Sequence, residues 1–163
     1  VNLSLKILSF LLVFAANASA SDYEELSWYD LMPADWTPYA EEEDIFARHD
    51  ESAPAMPFIQ QEAPVVPALN KKKIRLPGYV IPIVYKDDAV SEFLLVPYIG
   101  ACIHVPPPPS NQMIYVTLKD PLISTSLWAP VWVNGELKLE SAETEYARTS
   151  YRMDGASSEL YEY

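Results

Sequence analysis

The stretch Val131-Trp132-Val133-Asn134-Gly135-Glu136-Leu137-Lys138-Leu139-Glu140 alternates apolar and polar residues over most of its length. Successive side chains of an extended chain point to opposite faces, so this pattern predicts a half-buried strand. Val131, Val133, Leu137 and Leu139 face inward, while Trp132, Glu136, Lys138 and Glu140 face outward. Asn134-Gly135, in the middle of the run, predicts a bulge or tight bend.

The same period of two begins near Asn70. Lys73 to Tyr85 is extended and rich in β-formers, with bends expected at Pro77-Gly78 and Pro82. Lys86-Asp87-Asp88 makes a turn into a second run, Phe93 to Tyr98, and a third strand spans Met113 to Leu118. A last strand covers Ala147 to Met153, and Asp154-Gly155 turns the chain into its terminal segment, while Asp120 to Ala129 holds a short helix or a loop. About five short strands bent at Gly and Pro predict a mainly β fold, a small closed or partly open barrel of the oligonucleotide/oligosaccharide-binding (OB) type. A β-sandwich is the alternative.

Composition agrees with this class. Fifteen prolines against four glycines oppose a mainly helical protein, and 50% hydrophobic residues oppose a disordered acidic polymer. A net charge of −12 provides no basic footprint for phosphate backbones, so nucleic acid is not an expected partner. The charge is uneven: residues 21–62 hold 12 acids and one base, Arg48. Residues 21–69 thus read as an acidic, Pro-rich arm carrying short helical turns, ahead of a barrel domain at 70–163. Ser27 caps one such turn, in which Trp28, Leu31 and Met32 share a face that docks on the barrel, and Pro33 ends it. A second turn is expected over Glu41 to His49. Glu41-Glu42-Glu43-Asp44 reads as a solvated charge run.

Residues 1–20 place one cation, Lys6, before a ten-residue largely apolar run from Ile7 to Ala16 and the small residues Ala18-Ser19-Ala20. This is the pattern of a secretory signal peptide cleaved after Ala20, and the run is short of the ~20 residues a spanning helix needs. Val1 in place of an initiator Met fits an alternative bacterial start codon or an incomplete amino terminus; in the bacterial case the product is periplasmic. No Cys lies near the cleavage site, so a lipoprotein is not expected, and no membrane span is expected after cleavage. Cys102 is the sole cysteine and has no partner for an internal disulfide.

The stretch with chemical content is Gly100-Ala101-Cys102-Ile103-His104-Val105, followed by Pro106 to Pro109 and Ser110-Asn111-Gln112. In an extended segment Cys102 and His104 project side by side, and a thiolate beside an imidazole suits zinc or copper, or activates the thiol. The four prolines form a stiff polyproline II rod without amide donors, which is also a candidate recognition surface. The plain alternative is a buried, inert Cys102 and a His104 bonded to a carbonyl. His49, the one other histidine, lies in the arm, and Trp28, Trp36, Trp128 and Trp132 serve either a groove or the core. Phosphate loops, nucleophile elbows and His-Glu-x-x-His helices are absent.

Ile74-Arg75-Leu76-Pro77-Gly78-Tyr79-Val80-Ile81-Pro82, Glu92 to Tyr98, and Gly100 to Val105 with its four prolines resemble a bacterial family, domain of unknown function thirty-two ninety-nine. Trp28 to Pro33 and Pro130 to Leu137 resemble its opening and closing signatures. Ser110 stands where the family pattern carries a further proline. The resemblance implies export in Gram-negative bacteria, no assigned active site, and an accessory role beside an ABC-type metal uptake system by association. The leading expectation is therefore a soluble periplasmic accessory protein with Cys102 and His104 as zinc contacts, copper as the alternative metal, and an ABC-transporter or envelope protein as partner. A non-metal interaction module of the cell envelope is the second expectation. A Cys102-His104 enzyme is the third; it lacks an orienting group and an oxyanion site in the sequence.

Overall fold

The computed structural model describes residues 22–38, 60–99, 101, 107–123 and 129–161. Eight strands occur among them: β1 Glu24–Glu25, β2 Lys73–Lys86, β3 Ala89–Val96, β4 Ile114–Ile123, β5 Val131–Lys138, β6 Ala142–Glu143, β7 Arg148–Thr149 and β8 Tyr151–Leu160. The long strands run in the order β2-β3-β4-β8-β5, and β5 returns to β2, so the sheet closes on itself. β4 and β8 are parallel and the other barrel pairs antiparallel. This closed five-stranded mixed barrel is the expected class and excludes the sandwich.

Closure depends on β2, which serves both sides of the seam. Lys73 to Gly78 pair with β5, and Tyr79 to Lys86 pair with β3. The change of partner falls at the expected Pro77-Gly78 bend, where a Cβ on Gly78 would lie 2.8 Å from the Val96 carbonyl oxygen and 2.9 Å from Leu95 Cγ. Only glycine permits that approach. A second irregularity follows Pro82, also as expected. Asp87 and Asp88 have φ of 52° and 60°, which gives the two-residue hairpin turn favoured by right-handed strand twist.

Along β5 the alternation is as read: Val131, Val133 and Leu137 are fully buried, Glu136 is exposed, and Leu139, just past the strand, is half-buried against the core. Two details differ from expectation. Gly135 keeps the regular inward phase, and the irregularity lies in the facing strand: Asn134 pairs with Ser157 and Leu137 with Met153, so β8 carries one extra residue. The β4–β8 pairing skips in the same place, between Met153 and Ala156. Asp154-Gly155, expected to turn the chain out of the last strand, is therefore a bulge inside β8. Gly155 takes φ +63° there, and pairing resumes to Leu160 because β4 and β5 flank the strand on both sides.

The interior is filled by Phe93, Leu76, Ile114, Val116, Tyr151 and Met153 among others, with Leu26, Leu31 and Leu69 from before the barrel. A second cluster covers the outer face of β2–β4: Ile81, Leu94, Val96 and Met113 with Ala101 and Ala147. Phe93-Leu94-Leu95-Val96 is thus buried on both faces, which explains its unbroken apolar run. The predicted turn at Ser27 is a 3-10 turn over Trp28–Leu31, with the Ser27 amide and hydroxyl both 2.7 Å from Asp30 Oδ2. Its expected docking is observed: Leu31 is fully buried, and Trp28 Nε1 donates to the Pro77 carbonyl at 2.7 Å. The expected turn over Glu41 to His49 lies outside the described residues.

Candidate functional site

Cys102 and His104 lie outside the described residues, as do His49, Trp128 and the Glu41 to Asp44 run. The residues on either side of the Cys-His stretch are described. Before it, Ala101 is fully buried in the outer-face cluster. After it, Pro109 has φ −52° and ψ 150°, near the polyproline II region, and leads into a buried 3-10 turn at Ser110–Gln112.

That turn holds a group of polar contacts the sequence reading assigned no role. Residues 60–66 cross the barrel end without joining the sheet, so their backbone groups need side-chain partners. Gln60 Nε2 donates to the carbonyls of Pro108 (2.9 Å) and Arg148 (2.8 Å), and Gln60 Oε1 accepts from the Arg148 amide at 2.7 Å. The Ser110 amide donates to Gln61 O at 3.0 Å, and Ser110 Oγ accepts from the Ala63 amide at 3.0 Å. Asn111 Nδ2 donates to Pro64 O at 2.8 Å, and Gln112 Nε2 to Trp28 O at 3.0 Å. Tyr151 completes the set: its hydroxyl accepts from the Val66 amide (2.8 Å) and donates to the Leu31 carbonyl (2.9 Å). Burial pushes this phenol up, against the opposing Val66 contact. A proline at position 110 would lack both the amide and the hydroxyl used here. The available signal was a Ser-Asn-Gln triplet placed directly before an apolar strand.

Between this strap and the β6–β7 hairpin lies an open cleft of about 260 Å³, lined by Glu62, Ala63, Val65, Ser110, Leu139, Ser141, Arg148 and Ser150. Ser150 Oγ and Ser110 Oγ are 2.7 Å apart, and Arg148 pairs with Glu62.

Two further polar groups sit on the barrel wall. Arg75 lies 4.1 Å from the Trp132 ring, which stacks on Tyr161 at 5.1 Å, and its guanidinium meets Glu159 at 3.5 Å. Trp132 therefore points outward as read, but is half-buried between neighbours. On the other side, Tyr115 hydrogen-bonds Glu92 while Arg152 lies 5.0 Å from its ring. Burial, together with the Glu92 contact and charge, pushes the Tyr115 phenol up to about 12 against the opposing charge of Arg152.

Asp154, at the bulge, accepts from Arg152 Nε (2.7 Å) and Lys138 Nζ (3.0 Å). Burial raises its pKa, but the two cationic donors outweigh that and leave it below the ordinary 3.8. A depressed carboxyl stabilises the fold above its unfolded pKa, and this contribution is lost as pH falls through the folded value. We expect Asp154→Asn to cost at most about 1 kcal/mol at pH 7, because the group is partly exposed and screened by solvent. Urea melts at pH 7 and at pH 3 check this: the gap between variant and wild type should shrink at the lower pH.

Among the described residues no group of three His, Cys, Asp or Glu side chains could hold a metal ion. The Ser110–Ser150 pair has no histidine beside it among those residues. None of the described helices is long and apolar enough to cross a membrane. Fold and site define an OB-type barrel whose amino-terminal strap is tied down by buried polar side chains and forms one wall of an open polar cleft.

A family model described as protein of unknown function (DUF3299) matches residues 28–160, and the chain belongs to that family. A crystal structure of a DUF3299 family protein from Pseudomonas aeruginosa PAO1 is similar to this chain at 42% identity and a TM-score of 0.74, covering 86% of this chain and 97% of that one. No curated protein matches the chain.

Proposed function

We propose that this chain is a periplasmic accessory protein, released from a signal peptide at residues 1–20, that serves an ABC-type metal uptake system and contacts zinc through Cys102 and His104. The observation that carries this reading is the anchoring on both sides of the pair. Ala101 is held in the outer-face cluster, Pro108, Ser110 and Asn111 are tied to the strap, and Gln112 to the Trp28 carbonyl. The i, i+2 spacing of Cys102 and His104 would put both side chains on one face of an extended segment. A thiolate and an imidazole suit zinc, with copper as the alternative metal. Two ligands leave the coordination sphere incomplete, and the remainder comes from solvent or the transport partner. The pair's task is then to hold and pass on a cation, not to catalyse a reaction.

Native mass spectrometry with zinc and with copper(I) tests the site. Cys102→Ser and His104→Ala should each abolish most uptake, and the double change should add little, as expected for two groups in one site. Uptake should fall at acid pH as protons compete for both ligands. Wild type that binds no more metal than the double variant overturns the metal reading. Amino-terminal sequencing of the exported product should begin at Ser21; recovery of the uncleaved chain in the inner membrane would show an anchor instead.

A second reading, a non-metal interaction module of the cell envelope, is favoured by two surface features. Exposed Tyr98 and Ile99 immediately precede the motif, and the Arg75-Trp132-Tyr161 group lies on the wall; Tyr, Trp and Arg are enriched at protein interfaces.

A further inference from the structure

We propose that the cleft bounded by Glu62, Ser110, Ser141, Arg148 and Ser150 binds a neutral, hydroxylated ligand the size of one sugar unit. The first argument is a count of protons. Ser110 Oγ accepts from the Ala63 amide and shares a 2.7 Å hydrogen bond with Ser150 Oγ. Two hydroxyls have two protons, and only one of them lies between the oxygens. One O–H of the pair therefore has no acceptor among the described residues: with Ser150 as donor it belongs to Ser110, which is 3% exposed, and with Ser110 as donor it belongs to half-buried Ser150. Exposed Ser141, on the cleft wall, adds a second hydroxyl with no hydrogen-bond partner among the described residues.

The second argument is charge. Arg148 and Glu62 are paired in the cleft, so its two formal charges cancel. An anion must displace or face the Glu62 carboxylate, and a cation must do the same with Arg148. A sugar hydroxyl donates to one and accepts from the other, and it also accepts the spare serine proton. Val65 and Leu139 provide apolar surface for the C–H face of a ring. The volume of about 260 Å³ falls below the ~300–1,000 Å³ typical of sites for drug-sized ligands, so this open cleft holds about one unit, and any further unit extends into solvent. The walls come from the strap, the motif turn and the β6–β7 region, so the site exists only with the strap docked. It uses neither Cys102 nor His104 and stands or falls apart from the metal reading.

Titration of the ¹⁵N-labelled protein with glucose and N-acetylglucosamine, and with glucuronate as the anionic counterpart, tests this. At least one neutral sugar should give saturable shifts at the amides of Ser141, Arg148 and Ser150, with glucuronate weaker. Ser141→Ala removes a hydroxyl that bonds nothing among the described residues, and should weaken binding about 2- to 10-fold. Arg148→Ala, which removes a charged donor, should weaken it further. Absence of saturable shifts with both neutral sugars, tighter binding of glucuronate, or full affinity in both variants would overturn the proposal.

Discussion

Leu31→Ala should destabilise the protein by about 2 to 5 kcal/mol, as much as Leu137→Ala inside the barrel. Leu31 belongs to a four-residue 3-10 turn, an element with almost no stability of its own. Its side chain is nevertheless fully buried in the same cluster as Phe93, Val133 and Leu137. Removing three carbons leaves a cavity that barrel strands, fixed by closure, cannot collapse to fill. Urea melts of the two variants measure this directly. A loss under about 1 kcal/mol for Leu31→Ala, with the full loss for Leu137→Ala, would show that the turn packs on the barrel without completing its core.

Tyr151→Phe removes one oxygen and should cost about 2 to 4 kcal/mol, which is large for so small a change. The ring stays, so packing is conserved and only polar contacts are lost. Both lost partners are backbone groups: the Val66 amide at 2.8 Å and the Leu31 carbonyl at 2.9 Å. Leaving a desolvated amide or carbonyl unpaired costs more than a hydrogen bond contributes when made. The two partners lie in separate parts of the chain, 22–38 and 60–69, so one hydroxyl ties both to β8. Hydrogen exchange provides the second readout. The Val66 amide should lose protection in Tyr151→Phe, while amides of β5 should change only by the global loss of stability. Undiminished Val66 protection would mean that another acceptor takes over.

The strands were legible because their signals are local. Alternation at Val131 to Leu137 follows from the pleat of a single strand and needs no knowledge of its neighbours. The turn at Asp87-Asp88, the capped turn at Ser27 and the bend at Pro77-Gly78 rest on residue types whose backbone preferences act over a few positions. Trp28 and Leu31 also showed a docking face by spacing alone. Asp154-Gly155 was misread for a related reason. The same dipeptide suits a turn and a bulge, and the choice depends on whether strands continue on both sides.

The candidate site was barely legible. Cys102 and His104 stood out because their residue types carry chemistry, whereas Gln60, Ser110, Asn111 and Gln112 look like ordinary loop residues. Their roles arise from partners 47 to 88 positions away, and no periodic pattern encodes such pairings. By itself, then, the sequence determined the mainly β class, the position of most strands, the bends and the family resemblance, because side-chain period, turn chemistry and motif are properties of adjacent residues. Tertiary structure alone decided which strand carries the bulge, how β2 divides its pairing, and which polar side chains close the strap over the barrel. Those outcomes depend on which groups lose water together, and only the folded chain brings them within hydrogen-bonding distance.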